Sequence, residues 1–180
     1  MLSFEGAMVA RTDAGMFALW QAGAFASEAD AKLWEEDFNE PGALEASIRE
    51  GILVPINLGI DGAFKFVVRV CDDIASLSER ERKFAAFQSD PYRVLSKGEL
   101  RLGAIDSIGI GGGEDLMIVP VAPGAYQVRV CLIDWMSEPG AEVDGAPAPD
   151  ALPDFVVSIA PAPANLKYRL SIETFDRPDS

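Results

Sequence analysis

The sequence predicts a mainly β protein: an antiparallel β-sandwich of about eight to ten strands with a short N-terminal helical insertion. Three observations carry this. Apolar residues recur with period two in many short runs, turn residues separate those runs, and only one stretch reads clearly as helical. The clearest run is Val119–Trp135. Tyr126, Val128, Val130 and Leu132 take one face, and Gln127, Arg129, Cys131, Ile133 and Trp135 the other. The first face reads as core. The second starts polar and becomes apolar, so its far end should be covered as well. Ala122-Pro123-Gly124 before it reads as a turn.

Leu2–Arg11 reads as the first strand, with Leu2, Phe4, Gly6, Met8 and Ala10 on one parity and Gly6 marking a bulge or a crowded spot. Met16–Trp20 reads as a second strand and Gln21–Phe25 as loop. A helical excursion follows over 27–50. Ser27 caps it with Asp30 three residues on, and Pro41 opens a further turn with Leu44 and Ile48 inward. Gly51 stops it as a left-handed cap.

Ile52–Leu58 contains Pro55, which cannot donate to a ladder, so this is an edge or bulged strand. Asp61-Gly62 predicts a tight hairpin returning through Ala63–Cys71, with Phe64, Phe66, Val68 and Val70 on one side. Over 72–88 helical and strand patterns fit equally. Pro91–Ser96 and Glu99–Ile108 read as two strands about a Lys97-Gly98 turn. Gly109–Gly113 reads as a flexible turn, since no Lys-Ser/Thr follows it and Glu114-Asp115 would repel phosphate. Residues 136–153, rich in Pro, Gly, Ala and acids, read as an exposed, mobile loop whose acids meet no base. Asp154–Ile159 and Leu166–Phe175 close the strand count, and 176–180 is a tail. One domain over 1–175 suits the length.

Composition bounds the function. The formal charge is −14, with 29 acids against 15 bases, so the chain should repel nucleic acid and anionic membranes. It contains no histidine, which excludes Ser-His-Asp and Cys-His nucleophile systems and His-containing zinc sites. No catalytic, cofactor-binding or metal-ligating motif emerges. The N-terminus has Glu5 and no basic region of a signal peptide, so a cytoplasmic location is expected. Cys71 and Cys131 read as buried free thiols of a reducing compartment, with a disulfide between neighbouring strands as the alternative.

A set of pieces in order, Ile48-Arg49-Glu50-Gly51, Asp61-Gly62, Asp90-Pro91-Tyr92-Arg93-Val94, Leu100-Arg101-Leu102, Ile105-Asp106-Ser107-Ile108, Val121-Ala122-Pro123-Gly124-Ala125-Tyr126-Gln127-Val128 and Leu152-Pro153-Asp154-Phe155-Val156-Val157, resembles the small bacterial β-sandwich proteins of the competence ComJ type. That resemblance implies a non-enzymatic inhibitor of a nuclease and brings no catalytic residue with it. Acidic charge agrees with an inhibitor or immunity-type protein acting on a basic partner, where acids steer association. The candidate partner-binding residues are Glu35, Glu36 and Asp37, and, across the later loop, Asp134, Trp135, Glu138, Glu142 and Asp144. Two other readings stand beside it. One is a structural module, with self-association left open. The other is a sugar-binding or carboxylate-type protein in which Trp20, Trp34 or Trp135 stacks on a ring.

Overall fold

The computed structural model describes residues 1–25, 40, 42–74, 76–109 and 115–177. Its strands are β1 (Leu2–Thr12), β2 (Met16–Gln21), β3 (Leu53–Asn57), β4 (Gly62–Cys71), β5 (Ala85–Gln88), β6 (Tyr92–Ala104), β7 (Met117–Ile133), β8 (Glu142–Val143), β9 (Ala146–Pro147) and β10 (Phe155–Pro161). Helical residues are Ala43–Glu50 and Glu79–Lys83, with 3₁₀ turns at Ala22–Phe25, Ile105–Ser107 and Trp135–Ser137. The helix expected from Ser27, together with Trp34, Glu35, Glu36, Asp37, Pro41 and most of the glycine run after Gly109, lies outside the described residues.

The expected antiparallel sandwich becomes one mixed sheet. Its hydrogen-bonded order is β1-β4-β10-β7-β6-β2-β3, with β5 attached to β7 and β8-β9 a separate pair. The correction comes from β10, which runs parallel to β4 and antiparallel to β7. Sitting between two strands, it is buried on both faces from Phe155 to Ala160. The sheet is not closed into a barrel, but it coils until its inner faces meet. Phe17 of β2 packs edge-on against Phe66 of β4 with ring centroids 4.8 Å apart. Phe66 stacks on Phe155 at 5.2 Å, and Phe155 meets Phe175 edge-on at 5.7 Å.

Two expected turns prove to be bends in long strands. The Lys97-Gly98 and Ala122-Pro123-Gly124 positions lie opposite one another in β6 and β7, which pair from Tyr92↔Val128 to Leu102↔Met117 with a register shift between Ser96 and Gly98. The extra residue bends both strands instead of ending them. The Ser96 hydroxyl stabilises the bend, donating to the Val121 carbonyl at 2.7 Å and accepting from the Gly98 amide at 3.0 Å.

The hairpin about Asp61-Gly62 is also corrected. β3 pairs with β2, while β4 pairs with β1. The link from β3 to β4 therefore crosses between strands of different pairs, and so does the link from β1 to β2. The two links lie side by side, with the Leu58 and Gly59 amides donating to the Gly15 carbonyl at 2.9 and 3.0 Å. Gly15 has φ 63°, and a Cβ there would stand 3.1 Å from the Ile60 amide nitrogen, so a side chain would be both strained and crowded against backbone.

Other expectations hold. Pro55 lies in β3, a terminal strand of the sheet. Leu44 and Ile48 are the buried residues of their helix, and Gly51 ends it at φ 73°. Gly6 is a crowded spot, where a Cβ would come within 2.8 Å of the Phe4 ring. The undecided stretch resolves into the helix Glu79–Lys83, set by a Ser78–Glu81 capping box, and then β5. The last expected strand does not form. Only Thr174 bridges, to Asn57, and the segment's polar groups go to separate partners: the Arg169 amide donates to Pro91, and the Tyr92 hydroxyl to Ser171 at 2.9 Å. Cys71 and Cys131 are free thiols, Cys131 buried and Cys71 only half-buried. Burial pushes Cys131 up to about 11. No helix among the described residues is long and apolar enough to cross a membrane.

Candidate functional site

The second face of the sheet carries the candidate site. Cys131, Ile133 and Val156 point to this side and form a second apolar cluster with Trp135, Ala141, Ala148, Ala151 and Leu152. The expected cover over the far end of the Val119–Trp135 run is therefore present, and residues 136–153 supply it. These residues are not the free loop their composition implied. Alanines and a leucine that look like spacers in sequence point inward, and the Ala148 amide donates to the Ala141 carbonyl at 2.7 Å.

Charged groups fasten this cover, so its acids do meet bases. Arg80 forks onto Glu138 at 2.6 and 2.7 Å and also donates to the Asp150 carbonyl at 3.0 Å. That contact holds Glu138 below the usual carboxylate range. The Lys65 ammonium donates to the Ala151 carbonyl at 3.0 Å. Asp154 is nearly buried and accepts from the Lys65 amide at 2.7 Å and the Trp135 indole N–H at 2.9 Å. It also pairs with Arg177. Arg177 lies 5.9 Å from the centre of the Trp135 ring, so the expected tail is docked at this residue. Burial lowers the Arg177 guanidinium, and Asp134 opposes that shift.

A second segment, containing the helix Glu79–Lys83, packs on the same face through Leu77 and Phe84. Glu81 is 3% exposed and receives both arms of Arg69, at 2.7 and 2.9 Å. Burial raises the Glu81 carboxyl, but Arg69 and the Ser78 amide outweigh it and leave the group below its ordinary range. The Ser76 and Ser158 hydroxyls meet at 2.6 Å.

The predicted site residues separate on this frame. Trp135 is buried and its indole N–H is bonded, so it is a structural anchor for the cover. Asp134 accepts from the Ser137 hydroxyl and Glu138 is held by Arg80, so both belong to the base. Glu142 and Asp144 are exposed on the β8–β9 hairpin, and Val143 between them is 55% exposed. Sequence reasoning missed Val143. The signal was Asp144-Gly145, whose positive φ values of 53° and 78° make the turn that Asp-Gly favours between short strands. The stacking reading loses two of its three rings, since Trp20 is 3% and Trp135 8% exposed. Beside the base lies an open depression of about 940 Å³ lined by Arg80, Arg82, Lys83, Phe84, Glu138 and Pro139. Glu79 also lines it, so its walls carry three bases and two acids, with Arg80 already paired to Glu138. Among the described residues no group of three or more Cys, Asp or Glu is placed to hold a metal ion.

These features define a β protein of one coiled mixed sheet whose second face is closed by two fastened segments. No protein-family profile and no curated protein matches the chain. Two solved structures are similar to it. "Crocagin biosynthetic gene J" superposes with TM-score 0.59 at 16% identity, covering 88% of this chain and 98% of that one. ComJ from Bacillus subtilis, inhibitor of the DNA degrading activity of NucA, superposes with TM-score 0.49 at 9% identity, covering 90% and 98%.

Proposed function

We propose that the chain is a non-enzymatic binding protein, an acidic inhibitor or immunity-type protein that docks on a basic protein such as a nuclease through the β8–β9 hairpin. A shared fold does not carry function at these identities, so the reading rests on the surface. The observation that supports it is the hairpin tip: an exposed valine between two free acids, held out on a base anchored by Trp135 and Asp154. An apolar anchor supplies binding energy, while flanking acids raise the rate of encounter with a basic face.

The test is capture on the immobilised protein from the native cell, with the recovered partner then measured in purified form. A basic partner should bind at low salt and release at high salt. Val143→Asp should weaken binding by about tenfold or more, as truncation of an interface anchor does. Neutralising Glu142 and Asp144 should slow association and flatten its salt dependence, with little change in dissociation. Recovery of no basic protein at low salt, or a partner indifferent to Val143→Asp, overturns the reading.

A further inference from the structure

β1 is eleven residues long and ends the sheet, and among the described residues no strand pairs with its outer edge. The direction of its backbone groups follows from its neighbour. Lys65, opposite Val9 in the β1–β4 ladder, spends its amide and carbonyl on Asp154, away from β1. In an antiparallel ladder directly opposite residues alternate between exchanging hydrogen bonds and exchanging none, so Val9 belongs to a non-bonded pair. Its N–H and C=O, and those of Ala7 and Glu5, therefore point outward. Arg11 confirms the parity, since its amide turns away from β4 to Asp115 at 3.2 Å.

The open edge is bounded at both ends. Asp115 occupies it at Arg11, and the register shift between Leu2 and Phe4 interrupts it at the other end. What remains runs from Glu5 to Val9, with Ala7 at its centre. Natural edges of this kind are usually blunted by proline, a charged side chain or a bulge; from Glu5 to Val9 there is no proline and no bulge, and the single charged side chain, Glu5, is tied to Arg69. The side chains beside the edge, Ser3, Glu5, Ala7, Val9 and Arg11, are all exposed, Val9 at 59%.

We propose that β1 pairs edge to edge with β1 of a second copy of this chain, antiparallel, with the two-fold axis at Ala7. This register uses every outward backbone group of the window. Glu5 faces Val9 of the second copy, Ala7 faces Ala7, and Val9 faces Glu5. It also favours a second copy over an unrelated strand on charge. Glu5 and Arg11 sit toward opposite ends of the edge, so the antiparallel copy brings each Glu5 diagonally beside the other chain's Arg11, within reach of long side chains. Glu5 keeps its existing contact with Arg69 at 2.6 Å through one oxygen. Pairing over so few residues buries less than the ~1,200 Å² of a standard stable interface, so the dimer is weak and reversible. Each chain carries −14, and salt strengthens the pairing by screening that repulsion. The salt response is thus opposite in sign to that of docking on a basic partner.

Sedimentation equilibrium on the full chain tests the proposal. The average mass should rise with concentration from 19.3 kDa toward twice that value, more steeply in high salt than in low. Ala7→Pro removes an outward N–H without touching the bonds to β4, and it should hold the chain at the monomer mass. Val9→Lys, on the exposed face, should do the same with an unchanged melting curve. In a Cys71→Ser background, Ala7→Cys should oxidise to a covalent dimer about tenfold faster than Val9→Cys, because only the pair at the axis has the Cα spacing a disulfide needs. A constant monomer mass at high salt and high concentration overturns the proposal, whether the edge then serves a foreign peptide or nothing. So does a dimer that survives both edge substitutions, or equal oxidation at Ala7 and Val9.

Discussion

The two faces of the sheet are closed by different means. On the inner face the strands close on themselves: Phe17, Phe66, Val68, Leu102, Val130, Phe155 and Val157 are all fully buried and meet through apolar contact. On the outer face β4, β7 and β10 carry Lys65, Arg69, Ser158 and Arg129 among apolar residues, and the cover is two connecting segments with little regular structure beyond the helix Glu79–Lys83 and the β8–β9 hairpin. Those segments bury few large side chains and are fastened by Arg69–Glu81, Arg80–Glu138 and Asp154 with its partners. The comparison teaches that one set of strands can own a non-directional core on one side and a directional, charge-held one on the other. The second kind depends on pH and on single hydrogen bonds in ways the first does not.

Substitutions should rank the two faces. The largest effect is expected inside. Phe155→Ala removes a ring that touches Phe66, Phe64 and Phe175, and it should cost about 3–5 kcal/mol of stability, read from denaturant unfolding. Glu81→Gln comes next, at about 2 kcal/mol, since it weakens a charge-assisted fork and leaves Arg69 short of its partner. It should also change the pH profile. Glu81 is held below its ordinary range, so its stabilisation is complete above the unfolded value of about 4.3 and is lost as pH falls through the folded value. The acid limb of stability against pH should therefore be shallower in Glu81→Gln than in the wild type. An identical acid limb would show that the outer face is not charge-held at this point.

Trp135→Phe keeps most of the ring and removes the N–H to Asp154, for a loss of about 1 kcal/mol and faster proteolysis within 136–153. Equal protease resistance would mean that apolar contact alone holds the cover. The smallest effect is expected at the margin of the inner face. The Tyr126 hydroxyl donates to the Ala122 carbonyl at 2.9 Å, and the ring is only half-buried. Water replaces much of such a bond, so Tyr126→Phe should lower stability by about 0.5 kcal/mol, near the bottom of the usual range. A loss as large as that of Trp135→Phe would contradict the exposure seen here.

The inner face was legible in the sequence because period-two alternation is a direct record of burial. Phe64, Phe66, Val68 and Val70 in β4, and Val128, Val130 and Leu132 in β7, read correctly for that reason. Strand pairing was less legible. Asp61-Gly62 has the chemistry of a hairpin turn, yet nothing local tells β3 that its partner is β2, since register is settled by faces that meet far away in sequence. The bends in β6 and β7 look like turns because Gly98, Pro123 and Gly124 serve either purpose. The cover misled by composition. Ala141, Ala148 and Ala151 carry no hydrophobic signal strong enough to mark burial, and the partners of Glu138 and Asp154 come from Arg80, Lys65 and Arg177, distant in the chain. Charge singles out Glu142 and Asp144 in the sequence, and the structure shows them exposed; the exposure of Val143 follows only once the Asp144-Gly145 turn is recognised.

The paired links at Gly15 and Gly59 have a consequence for how the chain finds its structure. The β2–β3 pair is nested inside the β1–β4 pair, so either ladder alone would close a long and costly loop. Once β2 and β3 have zipped, β1 and β4 are joined only by two short connectors that already touch through the Gly15 carbonyl. The second ladder then closes at little entropic expense, and the sequence distance between Leu2 and Cys71 overstates the search that the chain must make. A crowded residue at position 15 would act on this step, slowing assembly by keeping the connectors apart.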